Sequence, residues 1–219
     1  MRENMKIENV LSALRKNKMD AYYVNTKEEA KALALSLIPE GSVCASGGSV
    51  TLSEVGLVDA LKSGNYTYID RYATTYTPEE RENAMKRAHH ADVYLMSSNA
   101  ITERGELYNV DGNSNRVSAL VLGPASVIVV AGVNKIVPTL TDAVLRVKTV
   151  AAPKNTVRLG SATPCAKTGH CVSIDMGCGE QMTSGCACDA RICCNFVVSA
   201  QQRHVGRIKV ILVGEELGY

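Results

Sequence analysis

The stretch ADVYLMSSNAITERGELYNVDGNSNRV, residues 91–117, tells most about how this chain folds. Its apolar run Val93–Met96 predicts a buried strand, which is followed by the polar loop Ser97–Asn99. A second strand is predicted over Leu107–Val110, and it ends at the tight-turn pair Asp111-Gly112. Ligands of open α/β sheets bind beyond the carboxyl ends of strands, so the polar loop is a candidate ligand site. A plain hairpin, with Asn and Asp side chains satisfying its turns, is the alternative.

Helices and strands alternate along the rest of the chain. Apolar residues recur at helical spacing in the first segment, and Thr26 with Glu29 forms a capping box that opens a second helix. Further strands are predicted over residues 21–24, 42–45, 66–70, 126–131 and 207–213. This rhythm predicts an α/β fold whose mainly parallel sheet is covered by helices on both faces. We find no second domain boundary and expect residues 1–219 to form a single domain.

A glycine pair follows the strand at 42–45 and precedes an apolar-periodic helix. Glycines let a backbone approach a ligand closely, and free amides at the start of a helix favour anions. The predicted anion-binding residues are Gly47, Gly48, Ser49 and Thr51. The alternative is a tight turn capped by Ser49, or by Thr51 with Glu54 as a capping box.

Composition excludes several classes of function. The net charge is only +2, and one Phe and no Trp accompany nine Tyr, so we expect no nucleic-acid partner. The N-terminal segment lacks the apolar core of a signal peptide, and the longest apolar run, around residues 125–132, is too short to span a bilayer. We therefore expect a cytoplasmic protein without a membrane-spanning segment. No nicotinamide or flavin fingerprint is present.

Seven of the eight cysteines lie in an aperiodic segment, about residues 153–206, which we interpret as an insertion before the final strand at 207–213. So long a loop needs something to organise it, and thiolates around a metal would do so without a large core. Zinc and a [4Fe-4S] cluster both suit four sulfurs, whereas disulfides, redox-active thiols or inert thiols are the alternatives. His170 is an alternative ligand.

The polar positions between residues 92 and 135 resemble the lactate-utilisation (LUD) domain family. The resemblance is carried by the pattern from Asp92 through Asn99-Ala100-Ile101-Thr102, Gly105, Asn109, Asp111-Gly112 and Asn115-Arg116, followed by Gly123-Pro124 and Gly132-x-Asn134-Lys135. It implies a fold similar to that of the ribose-5-phosphate isomerase, glucosamine-6-phosphate deaminase and CoA-transferase group. It also implies a part in the bacterial oxidation of L-lactate to pyruvate.

The resemblance adds further candidate site residues: Asn99, Thr102, Asp111, Asn115, Arg116, Asn134 and Lys135. Glu103 lies between two positions of the pattern and is added as a carboxylate beside the strand-end cleft. We expect Glu103 to be a catalytic general base whose pKa is raised by burial beside the strand-end cleft. Lys135 is the second catalytic candidate, because its ammonium could meet a carboxylate or phosphate; a solvated loop lysine is the alternative. A tail seen in one branch of the family implies Cys165, Cys171, Cys186 and Cys193 as metal ligands.

Three functional hypotheses remain open at this point. The first is a LUD-type protein of cytoplasmic L-lactate or 2-hydroxy-acid utilisation, acting as a subunit or accessory alongside iron–sulfur redox partner proteins and binding a small anionic ligand. The second is a stand-alone enzyme of the isomerase or CoA-transferase kind, acting on a small phosphorylated or acyl substrate. The third is a metal or redox sensor built on the cysteines. Whether the chain is itself an enzyme, and whether it forms a homo-oligomer, is left open.

Overall fold

The computed structural model describes the backbone of residues 2–219 and the side chains from Lys6 onwards. The helices are α1 (Arg2–Lys16), α2 (Lys27–Ser36), α3 (Val50–Glu54), α4 (Leu57–Ser63), α5 (Pro78–Ala88), α6 (Asn115–Val121), α7 (Leu140–Arg146), α8 (Ala152–Leu159), α9 (Pro164–Thr168) and α10 (Val172–Asp175). The strands are β1 (Asp20–Val24), β2 (Val43–Ser46), β3 (Thr67–Ile69), β4 (Val93–Met96), β5 (Ala100–Thr102), β6 (Leu107–Asp111), β7 (Ser126–Gly132), β8 (Ile136–Val137), β9 (Asn195–Ser199) and β10 (Ile208–Val213).

Six strands form a parallel sheet in the order β1-β10-β7-β4-β2-β3. Successive side chains of β7 point to opposite faces, so Val127 and Val129 join one core cluster and Ile128 and Val130 the other. Helices α1, α5 and α6 cover the first face, and α2, α3 and α4 the second. The predicted α/β fold, with a mainly parallel sheet covered on both faces, is confirmed.

A second, mixed sheet was not predicted. It has the order β8-β5-β6-β9, with β5 antiparallel to β6 and β6 antiparallel to β9. A third core cluster, which includes Ala100, Tyr108 and Val144, packs against it. Strand β6 was predicted, but β5, β8 and β9 carry too little alternation to be recognised one by one, and pairing between distant segments is what forms them.

Two helix predictions need correction. The helix after Ser49 is divided into α3 and α4, since Gly56 takes a left-handed conformation with φ of 71°. Apolar residues at helical spacing also predict a helix over 140–150, and this helix continues to Leu159 through a π-helical turn at Val147–Ala151. Pro153 has no N–H to donate within a helix, and the wider turn just before it accommodates that loss. No helix in residues 2–219 has the length and apolar character needed to cross a membrane.

The cysteine segment is more regular than its sequence predicts. It contains the end of α8, then α9, α10 and β9, and β9 pairs with β6 from Leu107↔Ser199 to Asp111↔Asn195. Lys148 is buried and donates hydrogen bonds to the Gln181 carbonyl at 2.6 Å and to Ser184 Oγ at 2.9 Å. The segment is thereby attached both to the second sheet and to the π-helical turn.

Candidate ligand pocket and cysteine cavity

Lys135 lies at the carboxyl end of β7 with its ammonium group buried. Its Nζ donates to Thr51 Oγ1 at 2.7 Å and to Ser97 Oγ at 2.9 Å. Because β2, β4 and β7 are neighbours, the loops that follow them meet at one edge of the sheet. Burial, together with the charges of Arg146 and Arg116, lowers the pKa of Lys135 to about 7, and Glu54 has a smaller opposite effect. The amine can therefore exchange a proton near neutral pH.

The glycine loop forms one wall beside this amine. Ser49 caps the five-residue helix α3 by accepting a hydrogen bond from the Leu52 N–H at 3.3 Å, as its alternative interpretation expected. Thr51 is buried, and its hydroxyl bonds to Lys135 and to the Leu217 carbonyl, so it forms no capping box with Glu54. A Cβ on Gly48 would meet the Tyr72 hydroxyl, since Tyr72 packs directly over this loop.

Arg116 organises the opposite wall. Its guanidinium donates to Asn99 Oδ1 at 2.9 Å, to the Val110 carbonyl at 2.7 Å and to Asn109 Oδ1. Asp111 Oδ2 accepts from the Arg116 backbone N–H at 3.1 Å and lies 3.7 Å from its Nε. Asp111 thus closes the turn before α6, as the plain hairpin interpretation expected. Burial lowers the pKa of Arg116.

The C-terminal residues close the pocket from a third side. Asn134 accepts from the Leu217 N–H at 3.2 Å and donates to the Gly218 carbonyl at 3.3 Å, so its amide holds this segment in place. Arg146 donates to the carbonyls of Asn134 and Asn99, at 3.1 and 2.6 Å. Tyr219 comes to the pocket wall as a result.

Glu103 and Thr102 lie elsewhere. Glu103 is exposed and forms a 3.0 Å ion pair with Lys6 of α1, and Thr102 bonds to Glu106 within the β5–β6 turn. Strand β5 leads away from Asn99, and four residues of extended chain span about 13 Å. The prediction that Glu103 is a buried base at the cleft is therefore wrong, because the residue is exposed and lies away from the pocket. Thr102 does not line the pocket either.

The converging residues line a cavity of about 90 Å³ that is open to the surface. Of the candidates, the structure brings six to its lining: Gly48, Ser49, Thr51, Asn99, Arg116 and Lys135. Ser97, Ser98 and Tyr219 line it as well. Gly47 sits just behind, where a Cβ would meet the Arg116 side chain at 3.1 Å. Asn115 and Asp111 line a larger groove outside, which shares Gly48, Asn99 and Arg116 with the cavity.

Four cysteines line a second, smaller cavity of about 30 Å³: Cys165, Cys171, Cys186 and Cys193. They are the four that the family resemblance selects. Apolar side chains, among them Tyr108, Val147 and Phe196, form the remaining walls. Burial, together with the charges of Cys165, Cys171 and Cys186, raises the pKa of Cys193 to about 12, and the charge of Arg191 acts in the opposite direction.

The other cysteines lie outside this cavity. Cys44 is fully buried in β2, where it acts as a small core residue, and burial raises its pKa to about 11. Cys188 Sγ lies 3.4 Å from Cys186 Sγ. His170 pairs with Asp175 at 2.9 Å instead of facing the four thiols. Within the described residues, no three His, Cys, Asp or Glu side chains are close enough together to hold a single metal ion.

Several residues of these sites escaped the sequence analysis. Ser97 belongs to the polar loop that is a candidate ligand site and Asn109 to the family pattern, but neither was among the named candidate site residues. Arg71, Arg81, Arg158 and Arg191 line the groove from a loop, two helices and the cysteine segment. Isolated arginines in such segments look like ordinary surface charges, and only the fold collects them.

Comparison with known proteins identifies the family. The model of the family described as LUD domain matches residues 7–213, nearly the whole chain. No protein with a curated description matches the sequence significantly.

Solved structures give more distant matches. A DUF162 family protein from Deinococcus radiodurans aligns over 96% of this chain and 98% of its own, with 15% identity and a TM-score of 0.52, which shows a shared fold. Ribose 5-phosphate isomerase A from Methanocaldococcus jannaschii aligns over 88% of this chain and 95% of its own, with 12% identity and a TM-score of 0.40. The eIF2B beta protein from Chaetomium thermophilum aligns over 52% and 43%, with 17% identity and a TM-score of 0.36.

Proposed function

Because the chain belongs to the LUD domain family, we propose that it serves the cytoplasmic utilisation of L-lactate or a related 2-hydroxy acid. It acts as a subunit alongside iron–sulfur redox partner proteins. One observation carries the proposal: Cys193 lines both the cysteine cavity and the groove that leads to Lys135. A redox group on the cysteines would therefore lie next to bound ligand.

The inner cavity suits a small carboxylate. Its volume of about 90 Å³ admits a three-carbon acid and little more. Lys135, Arg116 and Arg146 give it a positive potential, and the carboxylates whose charges act on Lys135 and Arg116 are those of Glu54 and Asp111. A carboxylate beside Lys135 would favour the ammonium form and offset the repulsion between the cations. The hydroxyls of Ser49, Thr51 and Ser97 supply hydrogen-bond partners for the ligand's own hydroxyl or keto oxygen.

The residues of the cysteine cavity fit an iron–sulfur cluster. Four thiols converge there among apolar walls, which limit the access of water. Lys148 and Arg191 also line the cavity, and their charges would balance those of the thiolates. A zinc ion needs all four sulfurs about 2.3 Å from one centre. In a [4Fe-4S] cluster each thiolate binds a different iron, so the four sulfurs can lie farther from one another. Because no three of the described His, Cys, Asp or Glu side chains could hold a single ion, we propose the cluster and not zinc.

When bound, the cluster would carry single electrons between the ligand site and a partner protein. Cys165, Cys171, Cys186 and Cys193 would hold it, and Thr163 and Ser173 would support them, since their hydroxyls lie 3.3 Å from the sulfurs of Cys165 and Cys171.

Anaerobic purification with iron, sulfide and zinc analysis tests the cluster. We expect a brown protein with about four iron and four sulfide per chain. Cys186→Ser should lose most of the iron, whereas Cys188→Ser, the matched control only two positions away, should keep it. Colourless protein with one zinc per chain, or iron content that Cys186→Ser leaves unchanged, would contradict this part.

Calorimetric titration with pyruvate and L-lactate tests the ligand site. Binding should weaken at least tenfold in Lys135→Met, while Lys154→Met, which removes an exposed lysine outside the cavity lining, should bind as the wild type does. Absence of binding to either acid, or equal affinities in the two variants, would refute the assignment of the pocket.

A further inference from the structure

The open groove outside the inner cavity is too large for a three-carbon acid. Its volume is about 520 Å³, within the range of pockets that hold cofactors and drug-sized ligands. It runs from Gly48 and Tyr72, past the N-terminal end of α6 and along α8, to Cys193 and Cys194. The inner cavity and the cysteine cavity therefore open on one continuous surface.

Five arginines line this groove, and only one carboxylate does. The arginines are Arg71, Arg81, Arg116, Arg158 and Arg191, and the carboxylate is that of Asp111. Asp111 is already paired with Arg116. No ion pair within the described residues neutralises the other four arginines. The groove therefore attracts anions strongly.

The arginines differ in how much hydrogen-bonding capacity remains. Arg191 donates to three backbone carbonyls, one from each of its nitrogens, which leaves one N–H on Nη1 and one on Nη2. Arg158 bonds to Asn155 and Tyr219 through Nε and Nη2, which leaves Nη1 for a ligand. Arg71 keeps Nε and Nη1 buried without any partner within the described residues. Buried guanidinium donors are costly unless an acceptor meets them, and a phosphate oxygen is a good match.

The groove also has an apolar side. Met85, Val147, Ala151, Ala152, Leu159 and Ile192 line it, and Leu159 is 52% exposed. Tyr72, which is 53% exposed, presents its ring nearby with the Arg71 guanidinium 4.5 Å from the ring centre. A ligand that carried only anionic groups would leave this surface uncovered.

We propose that the groove binds a ligand in which two or more phosphates are joined to a flat or apolar organic group, of the chemical class of a nucleoside diphosphate. The guanidinium groups come from separate elements, with Arg71 in a loop, Arg81 in α5 and Arg158 in α8, so they can bind more than one phosphate. The inference extends the proposed function, since the ligand would lie beside the inner cavity and reach the segment that carries Cys193.

Isothermal titration of the full chain with ADP and with adenosine tests this inference. ADP should bind, and adenosine at least tenfold more weakly. Arg81→Ala and Arg158→Ala should each weaken ADP binding several-fold, and the double variant at least tenfold. Both side chains are exposed, so these variants should fold. Arg87→Ala, on the same helix as Arg81 but outside the groove lining, is the matched control and should bind ADP normally.

Absence of ADP binding, equal affinities for ADP and adenosine, or full affinity in the double variant would each overturn the inference. Its failure is distinguishable from failure of the proposed function, because the two ligands are measured separately. Lys135→Met should lose pyruvate binding and keep ADP affinity within about threefold. The Arg81→Ala, Arg158→Ala double variant should lose ADP binding and keep its pyruvate affinity within about threefold.

Discussion

Lys135 Nζ and Thr51 Oγ1 lie 2.7 Å apart although 84 positions separate the two residues in the sequence. The contact joins the end of β7 to the helix that follows β2 and buries an amine among other cations. A buried ammonium next to guanidinium groups is disfavoured, so its pKa is about 7 in place of the ordinary 10.5. Two of the predictions below follow from this depressed pKa.

Lys135→Met should change how stability depends on pH. Between pH 7 and 10.5 the unfolded wild type holds a proton on this lysine that the folded protein has lost, so wild-type stability rises with pH in that window. The variant lacks this dependence. The difference in unfolding free energy, variant minus wild type, should therefore be highest near pH 7. It should decrease by on the order of 3 kcal/mol between pH 7 and pH 10. Denaturant titrations at several pH values measure the difference, and a constant difference would contradict the assigned pKa.

Anion affinity should depend on the same proton. Below pH 7 the Lys135 ammonium is already formed and pyruvate binds without proton uptake. Above pH 7 the amine must take up a proton first, so affinity should fall by about tenfold for each pH unit. Arg116 and Arg146 stay charged throughout this range. Calorimetry in two buffers of different ionisation enthalpy detects the uptake, and a pH-independent affinity would exclude Lys135 from the anion site.

Two glycine substitutions separate steric clash from backbone strain. Gly105 and Gly160 both have positive φ, 75° and 63°. A Cβ at Gly105 would lie 2.7 Å from backbone atoms of Ala13 and Leu14, whereas at Gly160 nothing lies within 4 Å. Gly160→Ala should cost about 1 kcal/mol from strain alone, and Gly105→Ala about 3 kcal/mol or more. Thermal unfolding of both variants measures this, and equal losses would mean that α1 does not pack on the β5–β6 turn.

Asn109→Ala should be clearly destabilising. Asn109 is fully buried, and its Oδ1 accepts from Arg116 Nη1 and from the Asn99 N–H at 3.3 Å. Removing this acceptor from a buried guanidinium should cost about 2 kcal/mol. Asn113→Ala, at an exposed position in the neighbouring turn, should change stability by less than about 0.5 kcal/mol. Similar losses for the two variants would show that the Arg116 network contributes little.

Capping residues and runs of apolar residues, which are local features of the sequence, predicted most strands of the main sheet. The capping box at Thr26 and the apolar run of β7 mark elements whose stability depends largely on neighbouring residues, and the structure has them as predicted. The short strands β5, β8 and β9 depend on partners far along the chain, so periodicity missed them as strands. The continuation of α7 past Pro153 was missed because a proline ordinarily ends a helix.

The pocket was predictable only in part. Residues directly after strand ends, such as Ser49 and Lys135, met because parallel strands bring their carboxyl ends to one edge. The prediction for Glu103 was wrong because its position depends on the direction of β5, which sequence spacing does not reveal. The four cysteines share a cavity because α9, α10 and the segment before β9 pack around the π-helical turn.

By itself the sequence determined the helices and strands of the main sheet and the family, because hydrophobic period, caps and motif residues are local properties of the chain. Only the tertiary structure decided that Lys135 is buried and that Glu103 lies outside the pocket. It also decided that arginines far apart in sequence line one groove that reaches Cys193. The physical reason is that burial, electrostatic potential and pKa arise from side chains far apart in sequence, and these become neighbours only when the strands pair.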